Sequence, residues 1–488
     1  MTGVFGHALI FGLAPILRRL AALVLLPLYT HYLSPEDYGE IELLSIALGL
    51  VATVLQLELR QGYLRAWLRA DPPGQAALFA TTLRLLTAAG AGGAVLVLLA
   101  AGPVSAWLLD RPVGPWFAVV LAAGLFAEVL NGVFQTTLQA QLRSAAIVAL
   151  GVGQFVVGAG LTVLCVAGLR LGPIGFFIGG TAAQLLALGI MFIATRPFRA
   201  AGRAPLAPLL QAALPLLGAA LLYFVVRSAD RVMVARLLSV AELGVYAMAW
   251  TLANLLMTAV FLPLQASLDV WRHRLHAEVD GAAQFAEVHR VALLVMGAAA
   301  VGLVTVGTDL FMAAADARFT AAAALVPALA VAVVLQAGYT IVASAFFVAG
   351  ATGRWAALFA AAAAVQVGGC WGGIAAFGVA GAPLGILAAN ALLYAGAAYW
   401  GRALWPVPYR HGIIVAVAGL LVAAAMLRRA LPIDEAALPV RLLADAAACT
   451  LFAGAAFAMG LYDAADVRAL SRMVQGRAAA GWQRLAAR

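Results

Sequence analysis

Leu33-Ser34-Pro35-Glu36-Asp37-Tyr38-Gly39 is a short polar break between two apolar runs, and it returns 205 residues later as Leu238-Ser239-Val240-Ala241-Glu242-Leu243-Gly244. Leucine, serine and glycine recur in register, and an acidic residue recurs as Asp37 and Glu242. Each copy follows one apolar run and precedes another, so the pair divides the chain into two blocks of like topology.

Outward from these breaks the chain is apolar to an extent that a water-soluble core cannot hold. Hydrophobic residues make up 65% of its 488 residues and charged ones 10%, against roughly 45–50% and about 25% in soluble domains. The bilayer is the solvent that accepts such a composition. Helices are expected, because backbone polar groups must be satisfied within each span and the alternation of a membrane barrel is absent. A span needs about 20 mostly apolar residues. Cutting at charged and Pro/Gly-marked breaks gives about fourteen. The first six are Leu9–Tyr32, Tyr38–Leu59, Ala77–Ala101, Pro115–Leu138, Ala145–Leu169 and Ile174–Thr195. The next six are Leu209–Ala235, Leu243–Val270, Val291–Ala313, Ala321–Ala349, Trp355–Phe377 and Pro383–Leu404. Gly412–Leu427 and Leu442–Leu461 complete the set, followed by a basic tail. The expected fold is thus an all-α polytopic membrane protein with two pseudo-symmetric six-helix lobes, residues 1–205 and 206–405, and two further helices with the tail over 406–488.

Charge supplies orientation. The net charge is +9, and all 30 basic residues are arginine. Threading the spans with the N-terminus inside puts seventeen arginines on the cytoplasmic side, Arg65, Arg143, Arg203 and Arg354 among them, and seven outside, including Arg111, Arg318, Arg428, Arg429 and Arg441. That bias predicts both termini in the cytoplasm. The arginines sit in short loops, which argues against nucleic acid as a partner. No continuous signal core precedes Arg18-Arg19, so the first helix is expected to remain in the mature protein. The longest polar loop expected is Trp271–Arg290, about twenty residues. That leaves no room for a soluble catalytic domain or a phosphate-binding loop, so no enzyme, cofactor or metal site is expected. Cys165, Cys370 and Cys449 are read as inert small apolar groups, and the six histidines as solvated or interfacial.

Charges inside spans need a reason, since each costs at least about 2.5–3.5 kcal/mol on insertion scales. Arg18 and Arg19 fall mid-span in the first block. In the second, Arg227, Asp230 and Arg231 lie at i, i+3 and i+4, one turn beyond Tyr223. A water-filled cavity lined by these arginines suits a phosphate or diphosphate, whose oxygens the guanidinium fork binds bidentately. The alternative is that Asp230 merely neutralises an arginine. Arg60 and Arg84 lie near span ends, where they also reach headgroups, and Glu58 is placed to pair with Arg60. Glu128, Asn131 and Gln135 form one polar stripe. Glu128, Glu58 and Asp230 are candidates for ion coupling or charge pairing. Asn254, Gln265, Gln336, Tyr339, Asn390 and Tyr394 mark three later spans, where sugar hydroxyls or interhelical hydrogen bonds explain them equally.

The stretch Leu26-Pro27-Leu28-Tyr29-Thr30-His31-Tyr32 running into the first break resembles the start of Wzx-type polysaccharide flippases. So do Ser228-Ala229-Asp230-Arg231 and Leu243-Gly244-Val245-Tyr246-Ala247. That family belongs to a superfamily with the multidrug (MATE) exporters and the lipid II flippase. The resemblance implies a V-shaped pair of lobes in the bacterial inner membrane. It implies flipping of an undecaprenyl-diphosphate-linked oligosaccharide by alternating access, beside polymerase and chain-length proteins. Arg18, Arg19, Arg227 and Arg231 match the expected first and seventh helices. A MATE-type exporter of small cations is the rival, for which a more acidic cavity is expected. A membrane-embedded glycan polymerase is a further rival, for which a large outer loop is expected.

Overall fold

A computed structural model describes residues 25–141, 143–194, 202, 204–430 and 437–461. Among them there are helices and short connections and no strand. Twelve helical stretches are long and apolar enough to cross a membrane, and each coincides with one of the spans read from sequence. The count of fourteen is not reached. Of Leu9–Tyr32 only the end, α1 (25–32), lies within the described residues. Leu209–Ala235 falls inside α8 (Ala207–Leu237), a helix of 31 residues whose second half carries Arg227, Asp230, Arg231 and Arg236.

In chain order, α2 (Pro35–Gln56), α3 (Leu59–Arg69), α4 (Pro72–Leu109), α5 (Pro115–Ala140), α6 (Ser144–Val163) and α7 (Pro173–Ala194) fill the first half. After α8 come α9 (Val240–Leu255), α10 (Leu262–His276), α11 (Gly281–Gly302), α12 (Thr308–Ala314), α13 (Val326–Val342), α14 (Ser344–Val348), α15 (Thr352–Phe377) and α16 (Pro383–Gly401). The last two are α17 (Gly412–Ala430) and α18 (Leu438–Ala458). Helix α5 packs on α4 and α7, and α13 on α16, while α2 crosses the halves to pack on α9 and α8.

The repeated heptad has a physical job in each copy. Ser34 caps α2: its hydroxyl accepts the Asp37 amide at 3.0 Å, and the Asp37 carboxylate accepts the Ser34 amide at 2.9 Å. This reciprocal box satisfies donors that a helix start leaves bare. Ser239 caps α9 with the serine half of that box, accepting the Glu242 amide at 3.1 Å. The glycines five residues after each serine then let the two helices touch. A methyl on Gly39 would overlap the carbonyl of Val240, and one on Gly244 would overlap the carbonyl of Pro35. Both pairs obey the 205-residue offset, so the repeat is a pseudo-symmetric contact between halves.

Further contacts between the halves surround this crossing. The Tyr38 and Thr251 hydroxyls lie 3.2 Å apart. Nearby, the Arg318 guanidinium donates to the carbonyls of Thr30 at 3.2 Å and His31 at 3.3 Å, at the end of α1.

Two expectations need correction. Trp271–Arg290 is mostly helical, because α10 and α11 leave only residues 277–280 between them. His289 accordingly lies inside α11, fully buried against Tyr394 and Tyr409, rather than at an interface. Arg428 and Arg441, counted with the outer loops, belong to α17 and α18. Arg428 pairs with buried Asp309 and, at 3.1 Å, with buried Asp445, while Arg441 lies 3.6 Å from Asp309. This network ties α17 and α18 to the end of the α11–α12 stretch. Those arginines take part in packing between helices.

Candidate functional site

Helix α8 sets the site. Tyr223, Arg227 and Arg231 are spaced at i, i+4 and i+8, so they share one face, and all three line a cavity of about 450 Å³. Helix α9 contributes Trp250, Thr251 and Asn254, and α10 contributes Gln265. Gln336 and Tyr339 enter from α13 and Asn390 from α16. Between α9 and α10 the chain widens into a π-helical turn, Leu256–Phe261, which brings Met257 and Thr258 into the lining. Such turns leave the regular ladder and frequently mark functional sites. Glu42 of α2 completes the wall from the other half.

The two α8 arginines differ in state. Arg231 donates to Glu42 at 2.7 Å and to the Arg227 carbonyl at 3.1 Å. Its guanidinium lies 5.0 Å from the centre of the Trp250 ring, a cation–π distance. Arg227 is exposed to the cavity and makes no ion pair among the described residues. Asp230 neutralises neither by direct pairing. It is turned toward α9 and wholly buried, accepting hydrogen bonds from the Tyr246 hydroxyl and the Trp250 indole, both at 2.7 Å. Asp230 thus orients the ring under Arg231, which in turn holds Glu42. Among the described residues the one carboxylate in the lining, Glu42, is therefore already matched, and the free charge is positive.

A second pocket of about 280 Å³ lies in the first half, lined by α2, α3, α4 and α5. It brings together Glu58, Arg60 and Gln135 of the sequence reading, with Gln56, Thr82 and Gln139. Leu57 and Glu58 adopt left-handed backbone, φ 52° and 49°, a conformation costing about 1–2 kcal/mol per L-residue. That kink ends α2 and turns α3 so that Arg60 faces the pocket.

The remaining candidates scatter. Arg84 and Glu128 are exposed on α4 and α5 and line neither pocket. Asn131, expected on a cavity wall, is buried, with its amide donating to the Gln184 carbonyl of α7 at 3.0 Å. It holds two helices together. Asn390 does both, lining the cavity while donating to the Ala332 carbonyl at 2.8 Å. Arg18 and Arg19 lie outside the described residues. The residue missed was Glu42. Its signal was present, since a carboxylate at the eighth residue of α2, inside an apolar span, demands a counter-charge.

Residues 30–268 match the model of a family described as polysaccharide biosynthesis protein. Ser34–Gly39 and Ser228–Ala247 lie inside that match. No curated protein matches the chain. Among solved structures, the inward-closed lipid II flippase MurJ shares 9% identity at a TM-score of 0.69, covering 93% of this chain and all of that one. An inward-facing MATE family multidrug resistance transporter of the MOP superfamily shares 15% identity at a TM-score of 0.65, covering 84% of this chain and 96% of its own. A MOP superfamily transporter from Pyrococcus furiosus shares 15% identity at 0.60, over 84% and 96% of the two chains; the reversed polarity of its binding pocket is reported to suggest a different function. The chain is a multi-pass membrane protein with the fold of this superfamily.

Proposed function

We propose that this protein, whose residues 30–268 match the polysaccharide biosynthesis family, flips an undecaprenyl-diphosphate-linked oligosaccharide across the bacterial inner membrane. Its termini face the cytoplasm, and its lobes are residues 1–205 and 206–405. The observation that carries the reading is Arg227, a guanidinium on a cavity wall with no carboxylate partner among the described residues. A permanent positive charge there favours an anion, and the planar fork fits a diphosphate. A carrier of organic cations needs an available carboxylate, but Glu42 is held by Arg231 at 2.7 Å and Asp230 is sealed beneath Trp250.

The mechanism follows from differential affinity, because a ligand shifts a two-state equilibrium only by preferring one state. Arg231 and Glu42 join the halves in the state described. A diphosphate arriving at Arg227 competes with Glu42 for Arg231, one turn away. Weakening that pair lowers the cost of parting α2 from α8, and the lobes rock. The prenyl chain stays in lipid while the glycan occupies the polar interior, and polymerase and chain-length proteins take the product outside.

Trp250 offers a direct test, since its ring lies under Arg231 on the cavity wall. Titrating undecaprenyl diphosphate into purified protein is expected to change tryptophan fluorescence saturably, with Arg227→Gln weakening the response at least tenfold. A response equal in both proteins would remove Arg227 from the site and the proposal with it.

A further inference from the structure

The first-half pocket lacks the net positive charge of the arginine cavity. Gln135 and Gln139 project from α5 at i and i+4, Gln56 is the last residue of α2, and Thr82 comes from α4. The side-chain amides of Gln56 and Gln139 are half-buried and that of Gln135 is exposed, none of them with a hydrogen bond among the described residues, and the Thr82 hydroxyl is buried without a partner. Bare polar groups in a membrane-spanning bundle are costly unless something polar meets them. Amides and hydroxyls each offer both a donor and an acceptor. Glu58 and Arg60 add one charge of each sign, so the pocket as a whole favours neither cation nor anion.

A ligand that answers this lining is neutral and carries hydroxyls that both donate and accept. We infer that this pocket is a carbohydrate subsite that binds one sugar ring of the transported glycan, with Gln56, Gln135, Gln139 and Thr82 as its hydrogen-bonding groups. The inference rests on the flippase reading above and adds to it a division of labour: α8 reads the diphosphate, and the first half reads the sugar. At about 280 Å³ the pocket sits at the small end of ligand sites, which start near roughly 300 Å³, and it suits one ring rather than a chain. Its position selects which ring. Glu42 in the arginine cavity and Gln56 in this pocket are fourteen residues apart on α2, or roughly 21 Å along the axis. The ring held here therefore lies away from the diphosphate rather than next to it.

The test uses two soluble-format probes on the full-length protein in detergent. One is undecaprenyl diphosphate. The other is the oligosaccharide repeat released by mild acid from the surface polysaccharide of the cells that carry the gene, with binding followed by saturation-transfer NMR. Gln135→Leu and Gln56→Leu are expected to weaken the oligosaccharide by roughly five- to tenfold each, the scale of one lost hydrogen bond. Their binding of undecaprenyl diphosphate is expected to stay unchanged, which also reports that they are folded. Arg227→Gln is expected to do the reverse. Oligosaccharide binding that is absent in wild type, or equal in wild type and the glutamine variants, would overturn the subsite while leaving the diphosphate reading intact. Oligosaccharide binding without any response to undecaprenyl diphosphate would support the subsite and overturn the diphosphate reading.

Discussion

Gly39 and Gly244 hold the same place in the two repeats and meet at the crossing of α2 and α9, each against the backbone carbonyl that begins the other's helix. The amide nitrogen of Gly39 lies 3.1 Å from where a methyl on Gly244 would sit. A neighbour made of backbone cannot rotate away, so the helices themselves must part.

Gly39→Ala and Gly244→Ala are each expected to destabilise the protein by about 1–3 kcal/mol, the usual cost of overpacking. Melting in detergent checks this. The double variant is expected to cost less than the sum of the singles, because one separation of the helices relieves both overlaps. Additive losses would mean that the two glycines act at independent contacts.

The polar breaks, the apolar spans and the glycine repeat were legible because each follows from local chemistry: capping, transfer into lipid, and the lack of a side chain. Of the about fourteen spans read from sequence, twelve coincide with helices among the described residues that are long and apolar enough to cross a membrane. Pairing across the fold was less legible. Asp230 looked like the partner of its helical neighbours at i−3 and i+1, yet it is turned toward Tyr246 and Trp250, and Arg231 reaches Glu42, 189 residues away in sequence. Arg428 and Arg441 looked like loop charges because sequence alone does not reveal buried Asp309 beside them. Six of the proposed cavity residues, Tyr223, Arg227, Arg231, Asn254, Tyr339 and Asn390, do line one space. They could be found because polar groups are scarce in these spans and helical periodicity aligns them. Asn131 shows the limit, since an asparagine that glues helices looks the same in sequence as one that lines a cavity.

The pair between Glu42 and Arg231 is only partly screened, with side chains 25% and 14% exposed. Glu42→Gln is expected to cost less than the about 3–5 kcal/mol typical of breaking a fully buried pair. It is also expected to raise affinity for undecaprenyl diphosphate, since Arg231 loses its competitor. A double-mutant cycle with Arg231→Gln measures the coupling. Unchanged or weaker diphosphate affinity in Glu42→Gln would contradict the competition.

The network of Asp309, Arg428, Asp445 and Arg441 is expected to be structural. Arg428→Ala strands buried Asp445 and leaves buried Asp309 with the more distant Arg441 at 3.6 Å, so a loss of about 3 kcal/mol is expected, seen as a lower melting temperature and poorer membrane yield. Arg428→Ala combined with Asp309→Asn and Asp445→Asn is expected to recover part of it. A triple variant no more stable than Arg428→Ala would argue against charge stranding as the cause.

The clasp at the end of α1 should depend on pH only in acid. The side-chain hydrogen bond from Arg318 holds the Asp316 carboxyl below its usual range. A lowered native pKa gives stability that is complete above the ordinary value near about 3.9 and is lost as pH falls through the native one. The melting difference between wild type and Arg318→Gln is therefore expected to persist at about pH 5 and to shrink below about pH 4. A difference that already vanished by about pH 6 would assign the clasp to another group.

The most direct measurement is flipping of a fluorescent undecaprenyl-diphosphate oligosaccharide in liposomes that contain the purified protein, with Arg227→Ala alongside wild type. Wild type is expected to move the lipid between leaflets, and correctly inserted Arg227→Ala to lose at least nine-tenths of the rate. Wild type that moves no such lipid, while exporting an organic cation against a gradient, would contradict the account and put the multidrug reading in its place.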